Sequence, residues 1–103
     1  MANNVTKYLL PIELDDKKRT LSYELKHIEM LENKFGTLQK AFDALNTQKT
    51  AAIRYFLWTG LLHEDNELTE EYVDSLVNFY NREYVYIQIV YAVNGTLPDD
   101  EKK

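Results

Sequence analysis

A chain of 103 residues is long enough to fold as one domain, and 45% hydrophobic with 28% charged residues argues against both disorder and a membrane class. The net charge of −5 argues against nucleic-acid binding, because a phosphate backbone requires clustered Lys and Arg. Without cysteine there are no disulfides, no thiol nucleophile and no cysteine-bound zinc, and no apolar run is long enough to span a membrane. We therefore expect a cytoplasmic protein.

The first predicted element is a β-hairpin over about residues 8–23. Apolar side chains recur at every second position on both sides of a polar stretch, at Leu10, Ile12, Leu14, Leu21 and Tyr23. Asp15-Asp16-Lys17 is expected to form the turn, and Pro11, which has no backbone N–H, belongs on an edge strand. The same two aspartates offset the basic run Lys17-Lys18-Arg19, so we do not expect this run to bind nucleic acid.

About five short amphipathic helices are predicted to follow, over residues 22–94. The apolar stripe of the first comprises Leu21, Leu25, Ile28, Leu31 and Phe35. Ser22 is its expected N-cap, and Gly36 is expected at its C-terminus. The second helix is expected to start after the N-cap Thr37 and to end near residues 46–47. Its stripe comprises Leu38, Ala41, Phe42 and Leu45.

The third helix is predicted over about Thr50–Leu62. Its buried face comprises Ile53, Phe56, Leu57, Gly60 and Leu61. The fourth helix is predicted to begin after the N-cap Thr69, because two glutamates follow it and meet the positive end of the helix dipole. Its apolar stripe comprises Val73, Leu76, Val77 and Tyr80.

The last predicted helix covers Tyr84–Val93. Its β-branched and aromatic residues alone would also allow a strand, but Asn81 offers an N-cap and Gly95 a C-terminal stop. The chain is therefore predicted to be α+β, mainly α, with a single domain over residues 1–98 and a flexible charged tail over 99–103.

The one short cluster of metal-binding side chains comprises His63, Glu64, Asp65 and Glu67. Consecutive loop residues point in different directions and no second histidine stands at helical spacing, so we interpret the cluster as a solvated connector. Ser22 and Ser75 lie in helical patterns outside any nucleophile turn, and the glycines are too far apart for a phosphate-binding loop. The sequence therefore predicts no catalytic site, no metal and no cofactor.

The unusual feature of the chain is its aromatic content of one Trp, eight Tyr and four Phe. Because a small domain cannot cover both faces of its last helix, some of Tyr84, Tyr86, Ile89 and Val93 are expected to remain outside, where Tyr is a favoured anchor for partners. Trp58 lies off the predicted stripe of the third helix. These residues form the candidate partner-binding site, with simple core packing as the alternative.

The stretch Ile53–Leu62, the short acidic gap after it and then Glu67–Val73 together resemble phage tail assembly chaperones. In that family an apolar helix ends in Gly-Leu, here Gly60-Leu61, and an acidic linker and Leu-Thr precede the next helix. A strand pair followed by Leu21–Leu25 and a helix that ends in Phe35-Gly36 is similar to the opening of the family. The resemblance covers most of the chain.

The resemblance implies a protein of the host cytoplasm, absent from the finished virion, that binds the tape measure protein and keeps it soluble before the tail tube polymerises around it. It also implies contacts with the tail tube protein and with a frameshift-extended form of the chain, of which this chain resembles the short form. Self-association is expected through exposed aromatic surface. Two alternatives stay open: a small acidic adaptor, and an inhibitor that mimics nucleic acid, although the carboxylates here are interspersed with Lys and Arg.

Overall fold

A computed structural model describes residues 8–96 of the chain. The elements in chain order are β1 (Leu10–Leu14), β2 (Lys17–Leu21), α1 (Leu25–Phe35), α2 (Leu38–Asn46), α3 (Thr50–Leu61), α4 (Glu70–Asp74) and α5 (Arg82–Thr96). The predicted architecture, a hairpin followed by five helices, is therefore confirmed. The predicted tail at residues 99–103 lies outside the described residues.

The hairpin closes through a two-residue turn at Asp15 and Asp16. Leu14 pairs with Lys17 in an antiparallel register, and both aspartates adopt left-handed backbone, with φ of 53° and 61°. Positive φ at both central positions defines a type I′ turn, whose twist matches that of the flanking strands. Aspartate tolerates this conformation without glycine because its short side chain forms local hydrogen bonds.

The outer edge of β1 is covered by side chains of α5. Pro11 pairs with Thr20, and its carbonyl oxygen accepts a hydrogen bond from Nε2 of Gln88 at 2.9 Å. The N–H of Glu13 donates to the hydroxyl of Tyr84 at 3.0 Å. Pro11 thus occupies the predicted edge strand, at a position where no backbone N–H is needed.

Helix α3 is the centre of the core. Its buried residues are Ala52, Ile53, Phe56, Leu57, Thr59, Gly60 and Leu61, which include every residue of the predicted face. The ring of Phe56 lies 6.3 Å from that of Tyr23, 6.0 Å from Phe35 and 6.5 Å from Phe42, centroid to centroid. Aromatic side chains from the hairpin end, α1 and α2 therefore converge on one α3 residue.

Gly60 allows the chain after β2 to lie directly against α3. The N–H of Ser22 donates to the carbonyl oxygen of Gly60 at 3.0 Å, and the Tyr23 hydroxyl donates to the carbonyl oxygen of Phe56 at 2.5 Å. A Cβ atom on Gly60 would stand only 2.7 Å from the Tyr23 hydroxyl oxygen. Burial raises the pKa of Tyr23 far above its usual value.

The prediction for the start of α1 is wrong. Ser22 is buried and its N–H bonds to α3, so the chain stays extended as far as Glu24. Glu24 occupies the N-cap position, and the N–H of Glu24 donates to Nδ1 of His27 at 3.0 Å. Leu25, placed on the buried stripe, is 86% exposed. The predicted stop is confirmed, because Gly36 has a φ of 103°, which favours glycine.

The predicted N-caps of α2 and α4 are confirmed. Oγ1 of Thr37 accepts from the N–H of Lys40 and Oγ1 of Thr69 from the N–H of Tyr72, each at 3.0 Å. Helix α4 ends at Asp74, however, and Tyr80 is 97% exposed. Its assignment to the buried stripe of this helix is therefore wrong.

Helix α5 confirms the predicted fifth helix but continues further than predicted. It runs through Gly95 to Thr96, the last described residue, so Gly95 does not stop it. Gly95 instead leaves room for the ring of Tyr8, which lies where a Cβ would stand. The backbone carbonyl of Asn81 accepts from Val85, while its side chain bonds to the preceding turn rather than to the α5 N-terminus.

Candidate protein-binding surface

Trp58 lies half-buried on α3 and attaches the connector that precedes α4. Its indole Nε1 donates to the carbonyl oxygen of Leu68 at 2.9 Å, and its ring meets Tyr55 edge-on with centroids 5.4 Å apart. The ammonium group of Lys34 lies 5.2 Å from the Tyr55 ring centroid. Burial raises the pKa of Tyr55, and the carboxylate of Glu70 raises it further. Trp58 thus has a structural role that its sequence pattern did not indicate.

Tyr84 and Tyr86 differ in how much of their surface is exposed to a partner. The Tyr84 hydroxyl accepts from the N–H of Glu13, and the residue remains 41% exposed. Tyr86 is partly buried and packs against the core. Of the two, Tyr84 has the position that a partner-binding anchor needs, because its hydroxyl is held while part of its surface is free.

Ile89 and Val93 are core residues, with exposed fractions of 0% and 5%. Of the four α5 residues from which some were expected to remain outside, Tyr84 is exposed, whereas the choice of Ile89 and Val93 as partner-binding candidates is wrong. Both lie on the α5 face that also carries Val85 and Ala92, and this face contacts the core. Because α5 is apolar on nearly all sides, its hydrophobic pattern could not indicate which face would be inside.

The opposite face of α5 carries a stripe of exposed apolar side chains, which we call the outer stripe: Tyr84, Ile87 and Tyr91. Their positions i, i+3 and i+7 place them on one side of the helix, and their exposed fractions are 41%, 39% and 57%. A surface helix of a monomeric protein usually has a polar outer face. The outer stripe is therefore a candidate for contact with another protein.

A second exposed apolar feature is the turn between α4 and α5, where Phe79 is 90% and Tyr80 97% exposed. We call this pair the Phe79–Tyr80 knuckle. Oδ1 of Asn78 accepts from the N–H groups of Tyr80 at 2.8 Å and Asn81 at 2.9 Å. In return, Oδ1 of Asn81 accepts from the N–H of Asn78 at 2.8 Å, and its Nδ2 donates to the carbonyl oxygen of Leu76 at 2.8 Å.

The sequence contains a signal for this turn, although the spacing of Tyr80 fits a helical stripe. Asn78 and Asn81 stand three residues apart, and asparagine side chains commonly bond to nearby backbone in turns. Two asparagines that bracket an aromatic pair favour a turn over a continuation of α4.

The acidic connector is attached to the hairpin rather than being wholly solvated. Oε2 of Glu64 accepts from the N–H of Thr20 at 2.8 Å and from its hydroxyl at 2.7 Å. Nε2 of His63 lies 2.8 Å from the carbonyl oxygen of Thr20, so this nitrogen carries the proton and donates. These bonds saturate the outer edge of β2 at Thr20, a role the sequence analysis did not assign to the connector.

Among residues 8–96 no group of three or more His, Cys, Asp or Glu side chains is placed to hold a metal ion. Asp65 bonds locally, with Oδ1 accepting from the N–H of Glu67 at 3.0 Å, and so does Ser75, whose hydroxyl donates to the carbonyl oxygen of Tyr72 at 2.6 Å. The same part of the chain contains no helix with the length and apolar character needed to cross a membrane.

Comparison of the chain with protein-family models, with curated proteins and with solved structures gave no match. Functional inference therefore rests on the surface itself: two exposed apolar features next to each other in the chain, on an acidic domain.

Proposed function

We propose that the chain is a phage tail assembly chaperone that binds the tape measure protein and keeps it soluble while the tail tube assembles. The observation that carries the proposal is the outer stripe of α5, whose three apolar side chains remain 39–57% exposed. A helix that is apolar all round is normally enclosed. Here one side is left for a partner, and the exposed apolar segments of an unassembled protein are suitable partners.

The charge of the chain supports the same role. A net charge of −5 makes copies of the chain repel one another and favours the solubility of a complex with an apolar client. In this role the chain is non-catalytic and works in the host cytoplasm. The tail tube protein and a frameshift-extended form of the chain are further partners that the family resemblance suggests.

Co-expression with a fragment of the tape measure protein tests the proposal. The wild-type chain should raise the soluble yield of the fragment and co-purify with it. Tyr91→Asp should reduce both, because it places a charge on the outer stripe, yet the domain should fold since Tyr91 is 57% exposed.

Leu25→Asp is the matched control, because Leu25 is an exposed apolar residue on α1, away from the outer stripe. Circular dichroism verifies that each variant is folded. If the wild-type chain leaves the fragment insoluble and does not bind it, the proposed function is wrong.

A further inference from the structure

The Phe79–Tyr80 knuckle is more exposed than any part of the outer stripe, and its backbone is held by side-chain hydrogen bonds. The side chains of Asn78 and Asn81 make reciprocal bonds across the turn, and Asn81 also bonds to the carbonyl oxygen of Leu76. The backbone that presents both rings is thus fixed before any partner arrives. Binding through a fixed turn loses less conformational entropy than binding through a flexible loop.

The exposed area of the knuckle is large for two residues. An aromatic side chain buries about 150–250 Å² when it is fully covered, so Phe79 and Tyr80, which are 90% and 97% exposed, together present roughly 280–470 Å². That equals the largest apolar patch of many monomeric proteins and is about half of what one partner contributes to a stable interface. Buried aromatic anchors of this kind dominate interface energies. The knuckle therefore has the size of an anchor but needs an adjoining contact.

The chain segment that contains the knuckle is acidic in sequence, and Arg19 of β2 and Arg54 of α3 contact it at Tyr72 and Asp74. Residues 67–83 contain one basic residue, Arg82, and the carboxylates of Glu67, Glu70, Glu71, Asp74 and Glu83. Nε of Arg82 donates to Oγ1 of Thr50 at 3.1 Å, and its Nη2 donates to the carbonyl oxygen of Gln48. The guanidinium group is therefore directed at the start of α3.

One of these carboxylates is already paired, since Oδ2 of Asp74 lies 3.1 Å from Nη2 of Arg54. Glu71 on α4 and Glu83 on the first turn of α5 are exposed. Glu83, which follows the knuckle closely in the chain, would attract a cation on the partner and repel an anion. The charge pattern thus favours a basic partner surface around an apolar centre.

We propose that the Phe79–Tyr80 knuckle anchors the client by inserting both rings into an apolar segment that is flanked by Lys and Arg. This inference rests on the proposed function, since it names the residues and the client chemistry of the same binding activity. The outer stripe, which begins at Tyr84, supplies the adjoining contact that the knuckle needs. Together the two features select clients by charge as well as by apolar area.

Fluorescence anisotropy on labelled, overlapping segments of the tape measure protein tests the inference with the full-length chain. We expect the tightest binding for apolar segments rich in Lys and Arg. The double variant Phe79→Ser/Tyr80→Ser should weaken binding to them about thirtyfold or more, the level of an interface hot spot. Raising the salt concentration from about 0.05 M to about 0.5 M should weaken wild-type binding several-fold, since it screens exposed charges.

Leu25→Ser is the matched control, since Leu25 is 86% exposed and lies outside both features. Its affinity should equal that of the wild-type chain, and thermal unfolding should show that both variants are folded. If the wild-type chain binds and the double variant binds equally well, the inference is wrong while the proposed function stands. The same holds if acidic segments bind best. If the wild-type chain binds no segment, both ideas are wrong.

Discussion

Local bonds at single residues account for much of where the elements begin and end. The helix caps depend on nearby residues only: Thr37 and Thr69 accept hydrogen bonds from N–H groups three residues on, and Gly36 ends α1 with a positive φ. The role of Ser22 does not, because its N–H bonds to Gly60, which is far away in the sequence. The sequence thus predicts the role of a capping residue correctly when its hydrogen-bond partner lies a few residues away in the chain.

The cap at Thr69 can be tested by Thr69→Ala. Loss of the bond from Oγ1 to the N–H of Tyr72 should lower the free energy of unfolding by about 1 kcal/mol, which is typical of an N-cap threonine. Urea denaturation followed by circular dichroism measures the change. Thr69→Ser keeps the hydroxyl and should retain most of the stability. Equal midpoints for Thr69→Ala and the wild-type chain would contradict the assigned cap.

The buried Tyr23 should make the stability of the fold decrease at alkaline pH. Its pKa is raised by burial, so the folded state holds the proton at pH values where an unfolded tyrosine, with a pKa of about 10, loses it. The stability linked to this proton is fully present below about pH 10 and falls as the pH rises further. Unfolding midpoints measured from pH 8 to 11.5 should show this decline.

Tyr23→Phe is the control for that titration. It should lower stability at neutral pH, because the carbonyl oxygen of Phe56 loses its donor. The decline above pH 10 should become shallower, since the variant has no phenol to ionise. An equally steep decline in both proteins would exclude Tyr23 as the group responsible.

At the scale of elements, hydrogen bonds at both edges of the hairpin attach it to the rest of the domain. On the β2 side, Thr20 bonds to Glu64 and His63 of the connector. Thr20→Val keeps the shape of the side chain and removes the hydroxyl that donates to Glu64, so we expect a loss of about 1 kcal/mol in the free energy of unfolding. Hydrogen exchange should show faster exchange of β2 amides.

A double-mutant cycle separates this bond from general effects on the strand. Thr20→Val and Glu64→Ala should cost less together than the sum of the two single changes, because each removes the same bond. Additive losses would mean that Thr20 and Glu64 act independently.

The elements also show where sequence patterns reach their limit. The alternation in β1 and the stripes of α2 and α3 predicted their buried faces, because each element has one apolar side. Helix α5 has apolar residues on nearly every side, so its sequence does not show that Ile89 and Val93 are buried. Of the outer stripe, the sequence pattern indicates only Tyr84. Tyr80 was misplaced because its spacing fits a helical stripe, whereas bonds between Asn78 and Asn81 form a turn.

At the scale of the whole molecule, we expect concentration-dependent self-association through the outer stripe. Copies with a net charge of −5 repel one another, so salt should strengthen this association by screening the repulsion. Sedimentation velocity at low and high salt measures the effect, and Tyr91→Asp should weaken association whereas Leu25→Asp should not. Association that is unchanged by Tyr91→Asp would place the contact elsewhere.

The covered edges of the small sheet also bear on how the protein behaves when concentrated. The carbonyl oxygen of Pro11 and the N–H of Glu13 bond to α5 side chains, and the N–H and carbonyl oxygen of Thr20 bond to the connector, so these four edge groups cannot pair with another strand. Open edges recruit unfolded chains into growing fibrils. A protein that works beside exposed segments of a client would be at constant risk of such growth. In the proposed role, the covered positions of the sheet edges would keep the chain from pairing with such a segment there.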